Sequence, residues 1–180
     1  MPPLPTRLQQ LYDAARTIGQ RLSRSAASVF DPCGLILQEP PLRGYCWCTP
    51  DCAFTFASTG GDGVHYSYLC LPDTAANREP IVMTMPANDR LNYIVAEGFD
   101  EFLGLGFHVG WFALEQIAYQ PSWALEYFAA NDTEANDDKR IRLAALRREL
   151  RIQYAPLSIQ RITTLTERYE AHLRVPAEPH

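Results

Sequence analysis

The chain has 180 residues, of which 47% are hydrophobic and 21% are charged, and its formal net charge is −5. A chain of this length buries about two thirds of its unfolded surface, so it needs no disulfide or metal to hold a core together. No stretch approaches the roughly 20 apolar residues of a membrane span, and the N-terminus lacks the apolar core of a signal peptide. We therefore expect one domain over residues 1–180, located in the cytoplasm and not bound to a membrane.

The charges are unevenly distributed along the chain. Residues 1–50 carry five Lys or Arg and three Asp or Glu, residues 51–138 carry two and fourteen, and residues 139–180 carry nine and four. The three balances are therefore +2, −12 and +5. An acidic middle segment repels nucleic-acid phosphates and attracts a basic protein. The alternative is that basic C-terminal helices neutralise this segment within the same fold.

The first half of the chain predicts one helix followed by short strands. Apolar side chains at three- and four-residue spacing predict an amphipathic helix over residues 6–24. Asp31-Pro32-Cys33-Gly34 and Pro40-Pro41 then predict a loop, because Pro and Gly interrupt regular elements. Runs rich in β-branched and aromatic residues predict strands, and their short connections favour antiparallel pairing. The five predicted strands are Gly44–Trp47, Ala53–Ala57, Val64–Leu71, Ile81–Met85 and Tyr93–Ala96.

A glycine-rich segment, Gly60-Gly61-Asp62-Gly63, separates two of these strands. It is typical of a hairpin turn, because Gly reaches positive φ at little steric cost and Asp tolerates the left-handed region. We therefore predict that Gly61→Val destabilises the protein through lost positive-φ freedom. The segment is not a nucleotide-binding loop, since it lacks the Lys-Ser/Thr of a Walker loop and leads into a strand rather than a helix.

From Phe99 onward the apolar spacing becomes helical. The run Phe99–Leu103 predicts a helix whose first turn carries Asp100 and Glu101, where carboxylates favour the helix dipole. Two further short helices are predicted around residues 111–118 and 123–128.

Two longer apolar patterns follow, over residues 139–154 and 158–174, and Pro156 separates them. They predict an antiparallel helical hairpin. The order of helix, strands and helices is an α+β plan. We predict an antiparallel-rich sheet of about five strands, with an N-terminal helix and C-terminal helices packed on it.

Three of the five cysteines cluster as C-x-C-x3-C, at Cys46, Cys48 and Cys52. Structural zinc sites usually have four ligands in paired spacing, so a fourth ligand would have to come from elsewhere in the fold. Thiols that act as small buried hydrophobes are the favoured interpretation, and a metal site is the alternative. The odd cysteine count also argues against a closed disulfide framework. We predict no metal and no cofactor.

An enzyme remains an alternative interpretation. Nucleophilic catalysis needs a thiol or hydroxyl, a base and a group that orients the base, and Asp62, His65 and either Cys52 or Cys70 would supply these. His65 and Cys70 are five residues apart on one predicted strand, so their side chains face opposite sides. A hydrogen-bonded structural histidine is the favoured interpretation of His65, and we predict that the chain is not an enzyme.

Three features together resemble the SUKH superfamily, also called the SMI1/KNR4 family. They are the strand-turn-strand Phe54–Tyr68, the strand Pro80–Pro86, and the block Phe99-Asp-Glu-Phe-Leu103, which looks like the closing helix of that family. The resemblance covers roughly residues 44–118 within a core of about 6–130. The C-terminal helical hairpin at about 139–174 goes beyond this core.

The resemblance implies a bacterial immunity protein that binds and neutralises a cognate polymorphic toxin of the nuclease or deaminase type. The acidic segment would dock on the basic substrate groove of the toxin, and charge complementarity would speed association, while buried aromatic residues would supply most of the affinity. A regulatory or scaffold protein that binds a host partner is the alternative, because eukaryotic relatives regulate cell-wall processes. Homodimerisation through the C-terminal helices is a further alternative. We assign partner contact to Asp62, Asp89, Glu97, Asp100 and Glu101. We predict that reversing the last two to Lys leaves the fold intact and weakens partner binding.

Overall fold

Five strands form one antiparallel sheet in the order β1-β2-β3-β4-β5. The computed structural model describes residues 3–72, 78–107, 109–129 and 137–176. Each strand pairs with the next along the chain, as short connections favour. The strands are Ile36–Arg43 (β1), Ala53–Ser58 (β2), His65–Leu69 (β3), Ile81–Thr84 (β4) and Asn92–Ala96 (β5).

Helices precede and follow the sheet, so the predicted α+β plan of an N-terminal helix, about five strands and C-terminal helices is confirmed. Short 3-10 turns occur at Asp31–Cys33, Phe112–Glu115 and Glu170–His172. The α-helices of the described residues are Thr6–Leu22 (α1), Phe99–Gly106 (α2), Gln116–Tyr119 (α3), Pro121–Ala129 (α4), Asp137–Leu150 (α5) and Ile159–Tyr169 (α6).

The first strand lies where a loop was predicted. The predicted strand Gly44–Trp47 is wrong, and β1 instead runs through Pro40-Pro41. Proline cannot donate to a strand ladder and is therefore confined to edge strands and bulges. Both conditions hold here, because β1 is the edge of the sheet and its register shifts between Leu37 and Leu42.

The larger core lies between one face of the sheet and helices α1 and α2. The rings of Phe99 and Phe102 on α2 lie 5.1 and 5.5 Å from Phe56 on β2, and Phe102 lies 4.9 Å from Tyr66 on β3. Aromatic pairs of this kind contribute about 0.5–1.5 kcal/mol each beyond their buried area. The block that carries the resemblance therefore packs directly on the β2–β3 hairpin.

A smaller core lies on the opposite face of the sheet, where Leu165 and Leu173 pack with Val82 and Ile94. Strand side chains alternate between faces, so these residues point away from the larger core. Thr166 Oγ1 on α6 also accepts the Ile94 N–H at 2.9 Å. Helix α6 thus protects the edge strand β5 from pairing with another chain, and helices contact both faces of the sheet.

The two long C-terminal helices pack on different elements rather than chiefly on each other. Helix α5 packs on α1 and the 3-10 turn Asp31–Cys33, whereas α6 packs on β5. The buried side chain of Arg142 on α5 pairs with Asp138 at 2.8 Å and donates to the Val29 carbonyl at 2.6 Å, which joins α5 to the segment after α1. The antiparallel hairpin predicted over 139–174 does not describe this arrangement.

Candidate functional site: the hairpin end of the sheet

Two hairpin connections lie side by side at one end of the sheet. His65, Thr84 and Asn92 pair across β3, β4 and β5 at this end. The two loops touch, since a methyl group built at Gly63 would lie 3.1 Å from the Pro86 ring. We call this surface the hairpin end and define it by its exposed or half-buried side chains: Tyr45, Trp47, Asp62, Asp89, Phe112, Glu115 and Tyr119.

The β2–β3 turn places Asp62 at the tip of this surface. The predicted hairpin is confirmed, but the positive φ angles fall on Gly60, Asp62 and Gly63, at 82°, 47° and 71°, and not on Gly61. The argument for Gly61→Val from lost positive-φ freedom is therefore wrong. A methyl group at Gly61 would meet only the Phe112 ring, at an ordinary 3.9 Å. This contact brings the 3-10 turn Phe112–Glu115 against the hairpin.

The loop between β1 and β2 supplies two aromatic side chains to the hairpin end. The loop connects β1 and β2 at the end of the sheet opposite the hairpin end. It nevertheless extends across the sheet as far as His65, where Thr49 Oγ1 lies 2.8 Å from His65 Nε2. The Tyr45 ring packs on His65, with ring centroids 4.9 Å apart. Tyr45 remains 41% exposed and Trp47 is 61% exposed.

His65 is a structural histidine that joins this loop to the hairpin turn. Its side chain is buried, and its Nδ1 lies 2.8 Å from the Gly63 carbonyl. A carbonyl only accepts, so Nδ1 carries the proton and Nε2 accepts from the Thr49 hydroxyl. Burial lowers the pKa of His65, which favours this neutral form.

Carboxylates and aromatic side chains are mixed on the hairpin end. Burial raises the pKa of Glu115, and the neighbouring negative charge of Asp62 raises it further. Asp89 is exposed in the β4–β5 loop. Phe112 and Tyr119 are 56% and 50% exposed. Exposed aromatic residues of this kind are the usual anchors of protein interfaces, and carboxylates select a basic partner.

The other three residues assigned to partner contact lie at the opposite end of the sheet, where β5 ends and α2 begins. Glu101 binds Arg161 on α6 with both carboxylate oxygens, and its Oε2 accepts the Glu97 N–H at 2.8 Å. Glu97 also pairs with Arg168 at 2.7 Å. The two glutamates are therefore engaged in holding α6 and the start of α2.

Asp100 is paired in the same way, because Arg7 from α1 lies 2.5 Å from its carboxylate. At this end of the sheet, basic residues of α1 and α6 neutralise the acidic segment within the fold. The five assigned residues do not form one acidic face, since only Asp62 and Asp89 belong to the hairpin end. The structure thus places Asp62 and Asp89 at one end of the sheet and Glu97, Asp100 and Glu101 at the other, although all five belong to the acidic segment 51–138.

The residues of the catalytic alternative are not brought together. Cys52 and Cys70 lie at the end of β3 remote from His65, where the Cys70 N–H donates to the Cys52 carbonyl at 2.8 Å. Both ring nitrogens of His65 already have partners. Asp62 lies in the exposed turn.

The cysteine cluster is likewise divided. All five cysteines are free thiols. Cys46 and Cys48 lie in the β1–β2 loop with their sulfurs 3.2 Å apart, whereas Cys52 Sγ contacts the His172 carbonyl at 3.4 Å. Across the described ranges, no group of three or more His, Cys, Asp or Glu side chains is arranged to hold a metal ion.

Several residues of the hairpin end escaped the sequence-based assignment. Phe112 and Tyr119 fall outside the apolar stripe of their helical segment, and Tyr45 and Trp47 belong to the predicted strand Gly44–Trp47. Large aromatic side chains that fit no apolar face were the available signal. Nothing in the sequence distinguishes Glu115 from the other carboxylates of the acidic segment.

Comparisons with protein-family models, with curated proteins and with solved structures found no match. In the part of the chain that the structure describes, no helix is long and apolar enough to cross a bilayer.

Proposed function

We propose that this chain is a non-catalytic protein-binding module that binds a basic protein partner at the hairpin end. The observation that carries the proposal is the grouping of exposed aromatic side chains with Asp62, Asp89 and Glu115 at one end of a well-packed sheet. Buried aromatic anchors supply most of the affinity of an interface. Carboxylates accelerate association with a basic partner and exclude an acidic one.

The narrower proposal is a cytoplasmic immunity protein that occludes the basic substrate groove of a nuclease or deaminase toxin. Its support is the resemblance to the SUKH superfamily, because the strand-turn-strand Phe54–Tyr68 and the strand Pro80–Pro86 meet at the hairpin end. The exposed turn at Asp62 would stand in for phosphate groups in the toxin groove. A regulatory SMI1/KNR4-like protein would use the same surface for a host partner.

An affinity pull-down from the native host lysate, at low and high salt, tests the proposal. The double variant Asp62→Asn with Glu115→Gln removes two charges from the hairpin end, and Asn keeps the left-handed turn conformation available. The matched control, Asp13→Asn with Asp100→Asn, removes two charges elsewhere. We expect wild type and control to capture one basic protein that high salt releases, and the hairpin-end variant to lose it.

Equal capture by the two double variants would contradict the proposal. The captured protein then distinguishes the two narrower functions. Toxicity of that protein when expressed alone, relieved by co-expression of this chain, supports immunity. A captured protein that is harmless alone supports regulation.

A further inference from the structure

A groove beside the hairpin end is lined by apolar and polar side chains in equal number, and most of the surface that they expose to it is apolar. It lies between β5, α3 and α6 and has a volume of about 150 Å³. Arg90 forms one rim of the groove. Its remaining walls include Tyr93, Ile117, Ile159, Ile162, Thr163 and Glu167.

The groove is continuous with the hairpin end. Arg90 directly follows Asp89, and Ile117 lies between Glu115 and Tyr119 on the same helical segment. Two residues that line the groove are therefore adjacent or close in the chain to residues of the hairpin end.

The size of the groove matches a single apolar side chain. A cavity of about 150 Å³ lined by aliphatic and aromatic residues holds a ligand the size of benzene. Sites for cofactors and drug-sized ligands are larger, about 300–1,000 Å³. The groove therefore has room for one leucine- or phenylalanine-sized group.

The charges around the groove favour a basic partner segment. Arg90 is neutralised by an ion pair with Glu170 and lies 5.9 Å from the Tyr93 ring centre. Glu167 in the wall and the flanking Asp89 and Glu115 then leave a negative balance. The nearby arginines of α6, Arg161 and Arg168, are each paired with a glutamate at the end of the sheet where α2 begins.

We infer that this groove is the anchor site of the hairpin end, and that it takes one leucine- or phenylalanine-sized side chain from a basic segment of a protein partner. This inference rests on the proposed function and specifies its partner. Burial of such a side chain strengthens binding about tenfold or more relative to alanine.

Amide NMR titration of the full chain with the peptides acetyl-Lys-Lys-Xaa-Lys-Lys-amide, where Xaa is Leu or Ala, tests the inference. We expect the Leu peptide to shift the amide signals of Tyr93, Ile117 and Thr163 and to bind about tenfold more tightly than the Ala peptide. Thr163→Trp fills the groove from an exposed position and should abolish this preference. Thr164→Trp, at the neighbouring exposed position outside the groove, should retain it.

Equal affinity for the Leu and Ala peptides, or a preference that survives Thr163→Trp, would overturn the inference. N-Acetyl-leucinamide that binds as tightly as the Leu peptide would overturn it as well, because it would assign the groove to small apolar ligands. These results can be told apart from failure of the proposed function. That function is tested by the pull-down with the Asp62 and Glu115 variant, which leaves the groove unchanged. Melting temperatures of both tryptophan variants close to that of the wild type would show that both are folded.

Discussion

Glu101 is expected to stabilise the fold rather than to contact a partner. Its carboxylate binds Arg161 through both oxygens and accepts the Glu97 N–H at 2.8 Å, so it joins α6 to the first turn of α2. Glu101→Ala removes both interactions. The adjacent Asp100→Ala is the matched control, because it removes a neighbouring carboxylate that, within the described part of the chain, pairs with Arg7 alone.

The loss of stability expected for Glu101→Ala follows from the exposure of its ion pair and from its hydrogen bond to the backbone. The hydrogen bond that the Glu97 N–H donates to the Glu101 carboxylate contributes about 1 kcal/mol. The pair of Glu101 with Arg161, whose side chains are 25% and 46% exposed, adds up to about 1 kcal/mol. We therefore expect Glu101→Ala to lower the free energy of unfolding by about 2 kcal/mol and the melting temperature by about 4–8 °C. Because the Asp100 side chain is 60% exposed, Asp100→Ala should lower the free energy of unfolding by no more than about 1 kcal/mol.

Urea denaturation and thermal melting of the two alanine variants, with Arg161→Ala and the double variant Glu101→Ala/Arg161→Ala, measure these quantities. The double-mutant cycle should give a coupling of about 0.5–1 kcal/mol, the range of an exposed ion pair. Arg161→Ala alone also removes the pair of Arg161 with Glu97. If Glu101→Ala were as stable as Asp100→Ala, the structural role of Glu101 would be refuted. The earlier expectation that reversing both residues leaves the fold intact would then stand.

Three further predictions concern the hairpin end. Since the pKa of His65 is lowered in the folded state, the unfolded chain binds more protons there, and stability should fall as the pH drops below about 6.5. Urea denaturation between about pH 5 and 7.5 should show that the free energy of unfolding depends less on pH in His65→Gln than in the wild type. An equal pH dependence of the two proteins would disprove the assignment of a buried neutral histidine at position 65. Gly63→Ala should lower the free energy of unfolding by about 1–2 kcal/mol, because Gly63 has a positive φ and lies close to Pro86. Gly61→Ala should change it by no more than about 0.5 kcal/mol. Equal melting temperatures of the two variants would contradict this difference. Trp47→Ala should change stability by no more than about 0.5 kcal/mol yet weaken partner capture, and a large loss of stability would place Trp47 in the fold instead.

Local patterns were sufficient for most elements of the fold. The apolar spacing of α1, the β-branched and aromatic runs of β2 to β5, and the Gly60–Gly63 turn each depend on residues close in sequence, so periodicity and turn chemistry identified them. The exception is β1, whose Pro40-Pro41 argued for a loop. Proline is tolerated there only because β1 is an edge strand, and the position of a strand within a sheet is not a local property.

For the candidate site, the sequence by itself determined Asp62 in its turn and the acidic excess of residues 51–138. Only the tertiary structure decided which carboxylates remain available, because Glu97, Asp100 and Glu101 meet arginines from α1 and α6 that are distant in the chain. It likewise decided that α5 and α6 pack on different elements. The physical reason is that net charge and apolar periodicity describe what a segment carries, whereas neutralisation and packing depend on which distant segment folding places against it.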